Sequence, residues 1–146
     1  MGTQQVLMLV IGVIIVGVAI AVGISMFSGS AYNANVQAIT SELANMRAQA
    51  DQYWRLPADL GGAGQDMLRT NMNSLGSIMG FEDSGDGTLS YKSGNGEYRL
   101  SNLTDTSVTI LCLGAEKKGS KYPYVTYTFD FLADGGTVDI SAAEGF

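Results

Sequence analysis

The chain has 146 residues and a formal net charge of −6, from 8 basic and 14 acidic side chains. Only three lysines cluster, Lys117, Lys118 and Lys121, in what we expect to be a solvated loop, so no nucleic-acid binding is predicted. Without histidine and with a single cysteine, the chain lacks the commonest general base and cannot form an intrachain disulfide. We therefore expect no catalytic, metal or cofactor site.

The chain begins with an apolar run from Val6 to Phe27, in which Ser25 is the only polar side chain. As a helix, its 22 residues would measure about 33 Å, the hydrocarbon thickness of a bilayer. A helix also satisfies its own backbone polar groups, as lipid requires. The run predicts a segment that spans a membrane.

No lysine or arginine flanks this run, and the first charged side chain is Glu42. A secretory signal would have a basic region before its apolar core, and an ordinary anchor would usually have a basic flank. We expect that a short basic leader has been removed and that Met1 is a processed N-terminus.

The helical pattern continues after the run but becomes amphipathic. Apolar residues recur every 3.5 positions, which marks a narrow stripe on one helix face; they are Tyr32, Val36, Ile39, Leu43, Met46, Ala50 and Tyr53. A coiled coil is one interpretation, but so few heptads with few flanking charges favour docking of the C-terminal part of the chain on this stripe.

Two breaks bound the amphipathic half. Ser28, Gly29 and Ser30 have low helix propensity and predict a flexible joint that kinks or unwinds once the apolar half leaves lipid. Pro57 ends the helix. The predicted organisation is a helix over 1–54, with a membrane segment at 1–27 and an amphipathic half at 28–54, followed by a globular head at 55–146.

The head begins with a loop at 59–65, followed by a short helix predicted over 65–80 and a loop at 82–88. The pattern then alternates with a period of two, and Asn-Gly and Asp-Gly pairs mark hairpin turns. Strands are predicted at 88–91, 97–103, 107–113, 124–132 and 137–141. The fold class is therefore α+β: a long N-terminal helix packed against a small antiparallel sheet of four or five strands. We expect the aromatic face with Tyr127, Phe129 and Phe131 to cover the helix stripe.

Three other features have weaker functional interpretations. Cys112 lies in an apolar strand with no histidine or basic partner nearby, so a buried structural thiol is expected rather than a nucleophile. Glu82, Asp83 and Asp86 could hold calcium weakly, but their spacing favours a solvated acidic turn. Asn102 begins a glycosylation sequon, a tripeptide that is common by chance.

The stretches "MGTQQVLMLVIGVIIVGVAIAVG" and "SAYNANVQAITSELANMRAQADQYW", followed by a small sheet, resemble the type IV pilins and pseudopilins. Met1 and the Ser-, Asn- and Ala-rich second half of the helix are similar to the type IVb branch. The resemblance implies a precursor in the inner membrane, cleavage by a prepilin peptidase, and extraction by pilus assembly machinery into an extracellular helical filament of identical subunits. Such filaments serve adhesion, motility, DNA uptake or electron transfer.

The resemblance also assigns roles to individual residues. It assigns polar contacts at the N-terminus to Met1, Thr3, Gln4 and Gln5. Gln5 stands where the family usually has a glutamate that pairs with a neighbour's terminal amine. The helices of all subunits would bundle into a filament core, for which this chain supplies Val6, Leu7, Leu9, Val10, Val13, Ile14, Ile15, Val18, Ile20, Val22 and Phe27.

Two alternatives remain beside a major filament subunit. One is a minor pseudopilin of a type II secretion or DNA-uptake machine, which would share the fold. The other is a single-pass membrane protein whose head binds a partner. Many bacterial pilins close a C-terminal loop with a disulfide, which Cys112 alone cannot do, and an archaeal fibre is compatible with the sequon.

Overall fold

A computed structural model describes residues 2–66, 72–85, 87–133 and 135–146. Its first element is a single helix, α1, over Gly2–Arg55. Pro57 follows the helix end, as predicted. The chain then forms a 3-10 turn at Ala58–Leu60, a second helix, α2, at Met72–Ile78, and a run of strands.

The strands form one antiparallel sheet in chain order. They are β1 (Glu82–Asp83), β2 (Leu89–Lys92), β3 (Gly96–Leu103), β4 (Ser107–Gly114), β5 (Tyr122–Asp130) and β6 (Gly135–Ala143). This confirms the α+β class, with a long N-terminal helix and a C-terminal sheet. The sheet has six strands rather than four or five, because Glu82–Asp83, predicted as loop, pairs with Leu89 and Ser90.

The core lies between α1 and one face of the sheet. Alternate residues of β3, β4 and β5 are buried, and α1 packs against β4 and β5. The helix contributes most of the predicted stripe to this core: Ile39, Leu43, Met46, Ala50 and Tyr53 are buried, whereas Tyr32 and Val36 are half-buried. Phe129 is fully buried, and Phe131 stacks on Trp54 with ring centroids 4.9 Å apart. The predicted docking of the aromatic face on the stripe is confirmed.

Two strand irregularities have simple causes. A bulge between Leu100 and Asn102 shifts the alternation of β3, so that Leu103 rather than Asn102 packs against the core. Pro123 lies inside β5, a position that proline rarely takes in a central strand. The ladder from β4 ends with Leu113 opposite Tyr124, so Pro123 pairs only with Ala142 of β6.

The second helix is shorter than the 65–80 prediction, although Leu68 and residues 67–71 as a whole lie outside the described residues. Gln65 is not helical: it has a φ of 65° and its N–H donates to the Trp54 carbonyl. The N–H groups of Ala63 and Gly64 donate to Tyr53 and Leu56 in the same way. The prediction failed at Gln65 because this loop returns to satisfy the open carbonyls at the end of α1.

Candidate functional site

The apolar half of α1 is the most unusual surface of the molecule. All eleven residues predicted for a filament core are helical and exposed, and the described residues of the head bury no part of the helix's most apolar window. Leu9 is 68% exposed and Phe27 is 77% exposed. Soluble monomers rarely expose contiguous apolar surface of this size. By length and composition, this one helix could cross a membrane.

The N-terminal polar residues precede this surface on the same helix. Thr3, Gln4 and Gln5 are helical and exposed, while Met1 lies outside the described residues. No described contact joins these side chains to the head. Their predicted role in contacts between subunits stays a prediction.

The predicted joint lies where the exposed half of α1 meets the docked half. Ser28, Gly29 and Ser30 are helical, and the Ser28 hydroxyl donates to the Ser25 carbonyl at 3.0 Å. The expected unwinding concerns the helix after it has left lipid, so it also stays a prediction. In the structure, the helix continues without a break through these three residues, from the exposed half to the docked half.

A polar clamp holds the head on the helix on the C-terminal side of the joint. It is formed by two residues of α1, the turn between β2 and β3, and one side chain of β3. The Glu42 carboxylate accepts hydrogen bonds from Ser93 at 2.9 Å, from the Asn95 amide at 2.7 Å, and from the Tyr98 hydroxyl. Two helical turns earlier on the same face of α1, the Asn35 amide donates to the Asn95 carbonyl at 2.7 Å. Hydrogen bonds to a charged group are among the strongest in proteins, so the clamp fixes the register between helix and head.

Sequence reasoning did not predict this clamp. A signal existed, because Asn35 and Glu42 are seven residues apart and each lies beside the apolar stripe. Glu42 is also the first charged residue of the chain. The missing information was its partner, since a turn at 93–95 is close to residue 42 only after the sheet has formed.

Buried groups near the clamp are held in their neutral forms. Burial raises the pKa of Tyr98 far above its usual value, and the hydrogen bond to Glu42 adds to the effect. Burial likewise raises the pKa of Cys112 to about 12, opposed by a hydrogen bond with Tyr98 and assisted by the charge of Glu42. Cys112 is fully buried, which confirms the expected burial of this thiol.

A second set of contacts fastens the far end of α1. The Arg47 guanidinium donates to the Tyr127 hydroxyl at 3.4 Å and lies 3.8 Å from Asp51. Trp54 stacks on Phe131 with nearly parallel rings. Together with the clamp, these contacts hold residues 35–54 of α1 against the sheet.

The remaining sequence candidates lie apart from this interface. Glu82 and Asp83 are exposed on β1, whereas Asp86 falls outside the described residues. Among the described residues, no group of histidine, cysteine and acidic side chains could hold a metal ion. Asn102 is exposed beside the bulge of β3.

No family model, curated protein or solved structure matches this chain. The functional argument therefore depends on the chain's own surfaces.

Proposed function

We propose that the chain is the structural subunit of an extracellular filament of the type IV pilin kind, which polymerises through the apolar half of α1. The observation that supports this most directly is the contrast along one helix: residues 6–27 are bare, while residues 35–54 dock on the head. A bare helix of this composition needs lipid or other copies of itself around it.

The energetic argument is one of replacement. Moving each large apolar side chain of this segment into water costs about 1.5–3 kcal/mol, so the whole segment costs tens of kcal/mol. An uncharged helix loses little on exchanging lipid for other apolar helices. Extraction from the membrane is therefore feasible only if packing against identical subunits accompanies it.

The resemblance to the type IV pilins supplies the cellular route of this proposal. The chain is inserted in the inner membrane, a prepilin peptidase removes its leader, and an assembly machine transfers it to the filament with its head on the outer surface. It performs no chemistry. Gln5 in place of a glutamate provides an amide contact at the N-terminus without burying a charge in lipid.

A mutation in the apolar half tests the proposal. Val13→Asp should abolish filaments in cells of the native host, because a carboxylate would be buried in the bundle. The matched control is Asn33→Asp, the same new charge on an exposed face of the docked half, which should leave filaments at normal yield. Normal filaments from Val13→Asp would contradict the proposal.

The abundance of the protein separates the alternatives. A major subunit should dominate material sheared from the cell surface, whereas a pseudopilin should be scarce there. A single-pass membrane protein, which the apolar helix alone would equally suit, should remain in the membrane fraction with no polymer.

A further inference from the structure

The hairpin between β4 and β5 has a charge unlike the rest of the molecule. Lys117, Lys118 and Lys121 are all exposed on it and outnumber the nearby glutamates, Glu116 and Glu144, in a chain of net charge −6. The backbones of Lys118 and Lys121 pair across the hairpin, which brings the lysines together at one tip. No ion pair among the described residues involves Lys118 or Lys121.

The position of this hairpin relative to the apolar helix is well defined. The Glu116 N–H donates to the Asn35 side chain at 3.4 Å, and Gly114 lies so close to Asn35 that a Cβ there would overlap it. Asn35 is eight residues beyond Phe27, or about 12 Å along the helix. Phe27, Asn35 and Glu116 also line one surface cleft, which places the root of the hairpin beside the end of the apolar run.

The tip extends from this root toward the apolar half. Strand β5 runs alongside α1 in the same direction, as three contacts show. Near the start of β5, Ser141, which pairs with Tyr124, contacts Tyr32. Farther along both elements, Tyr127 contacts Arg47 and Phe131 stacks on Trp54. The hairpin precedes β5, so it continues past Tyr124 toward the N-terminal end of α1. The lysines therefore lie at the level where the helix would leave the hydrocarbon and enter the headgroups.

We infer that this lysine hairpin is a docking surface for anionic lipid headgroups, used while the chain is inserted in the membrane. The inference rests on the membrane stage of the proposed function. No charged side chain precedes Glu42, so the sequence next to the apolar run offers no charge to an anionic headgroup. On the side of the membrane that holds the head, the fold supplies positive charge in space rather than in sequence.

The aromatic residues near the hairpin fit the same surface. Tyr122 follows the tip and lies under the Lys117 ammonium, 4.9 Å from ring centroid to nitrogen. Tyr32 is half-buried on α1, five residues beyond Phe27. Tyrosines of this kind concentrate at the boundary between hydrocarbon and water, where one end of the ring is apolar and the other is wet.

A lipid-proximity experiment on the full chain tests the inference. Ser120→Cys places a fluorophore at the tip, while the buried Cys112 stays unlabelled. The chain is reconstituted in phosphatidylcholine bilayers with or without phosphatidylglycerol, and quenching by spin-labelled headgroups is measured. We expect stronger quenching with the anionic lipid. The difference should disappear at 1 M salt, where the screening length falls to about 3 Å.

Substitution of the lysines provides the matched comparison. Each lysine near an anionic surface biases the docked state by about fivefold, so the triple variant K117Q, K118Q, K121Q should lose roughly 100-fold in the docked-to-free ratio. Lys118→Gln alone should show about a fivefold loss. Arg55→Gln removes the same charge from the far end of α1 and should change nothing.

A second label separates this inference from the proposed function. Ile15→Cys reports insertion, because it should react with a polar thiol reagent only after the bilayer is dissolved. Protection at Ile15→Cys with no lipid-dependent change at Ser120→Cys overturns the docking surface and leaves the proposed function intact. An unprotected Ile15→Cys overturns both. If the triple variant keeps its quenching but loses filaments, the lysines contact acidic residues of another copy, and the inference is wrong.

Discussion

The two halves of α1 differ in what covers them rather than in how helical they are. The second half is docked on its own head through a buried stripe, a polar clamp and a stacked tryptophan. The first half has the same backbone, but the described part of the head does not cover it. The comparison shows that one half of a helix can be covered by its own fold while the other half stays exposed for contact with other molecules.

The largest expected effect comes from making the same substitution in each half. Leu43 is 2% exposed and Leu9 is 68% exposed. Leu43→Ala should lower the free energy of unfolding of the head by about 2–5 kcal/mol, because it leaves a cavity between helix and sheet. Leu9→Ala should leave it unchanged. Denaturant unfolding of both variants in detergent, followed through the single tryptophan, Trp54, measures the difference; equal losses would contradict the comparison.

A smaller effect is expected from the polar clamp. Glu42→Gln keeps the shape of the side chain but replaces one acceptor oxygen by an amide donor facing groups that already donate. We expect a loss of about 1.5–3 kcal/mol in unfolding free energy, the range for hydrogen bonds to a charged group. Glu144→Gln makes the same chemical change at an exposed position and should have no effect in the same assay. If Glu42→Gln left the free energy of unfolding unchanged, apolar packing alone would dock the second half of α1.

The smallest effect is expected from alkaline pH. The thiol of Cys112 has a usual pKa of 9.0, which burial raises to about 12 in the folded head. Its stabilising contribution is therefore complete below pH 9 and is lost as the pH rises toward 12, at up to about 1.4 kcal/mol per pH unit. Tyr98 adds a loss of the same sign above pH 10.

Denaturant titrations between pH 7 and pH 10.5 measure this slope in unfolding free energy. Cys112→Ala should be less stable at neutral pH but should lose less stability between pH 9 and pH 10. An identical slope with and without the thiol would show that Cys112 ionises freely in the folded head. The apolar half of α1 has no charged side chain, so it should add nothing to this dependence.

The sequence predicted the features that depend on local periodicity. The length of α1, its end before Pro57, five of the six strands and the docked stripe all follow from patterns within short windows. It did not predict β1, a strand of two residues that exists only because Leu89 and Ser90 lie beside it. The helical start proposed at Gln65 was wrong because that residue caps a helix end ten positions earlier.

For the candidate site too, the sequence predicted the local feature and missed the long-range contacts. The bare surface at 6–27 was predictable, because an uninterrupted apolar run is visible residue by residue. The clamp joins Glu42 to Asn95, and Glu116, at the root of the lysine hairpin, lines a cleft with Phe27 from almost ninety residues away. Contacts between residues so far apart in sequence become visible only when the sheet has placed them.

The central claim is that the first half of α1 stays out of water in every native state, first in lipid and then among identical helices. Thiol accessibility tests it directly, with Ile15→Cys in the first half and Ser41→Cys on the exposed face of the second. In membranes and in sheared filaments, a polar maleimide should label Ser41→Cys readily and Ile15→Cys only after dissociation. Equal labelling of both positions in native filaments would contradict the account.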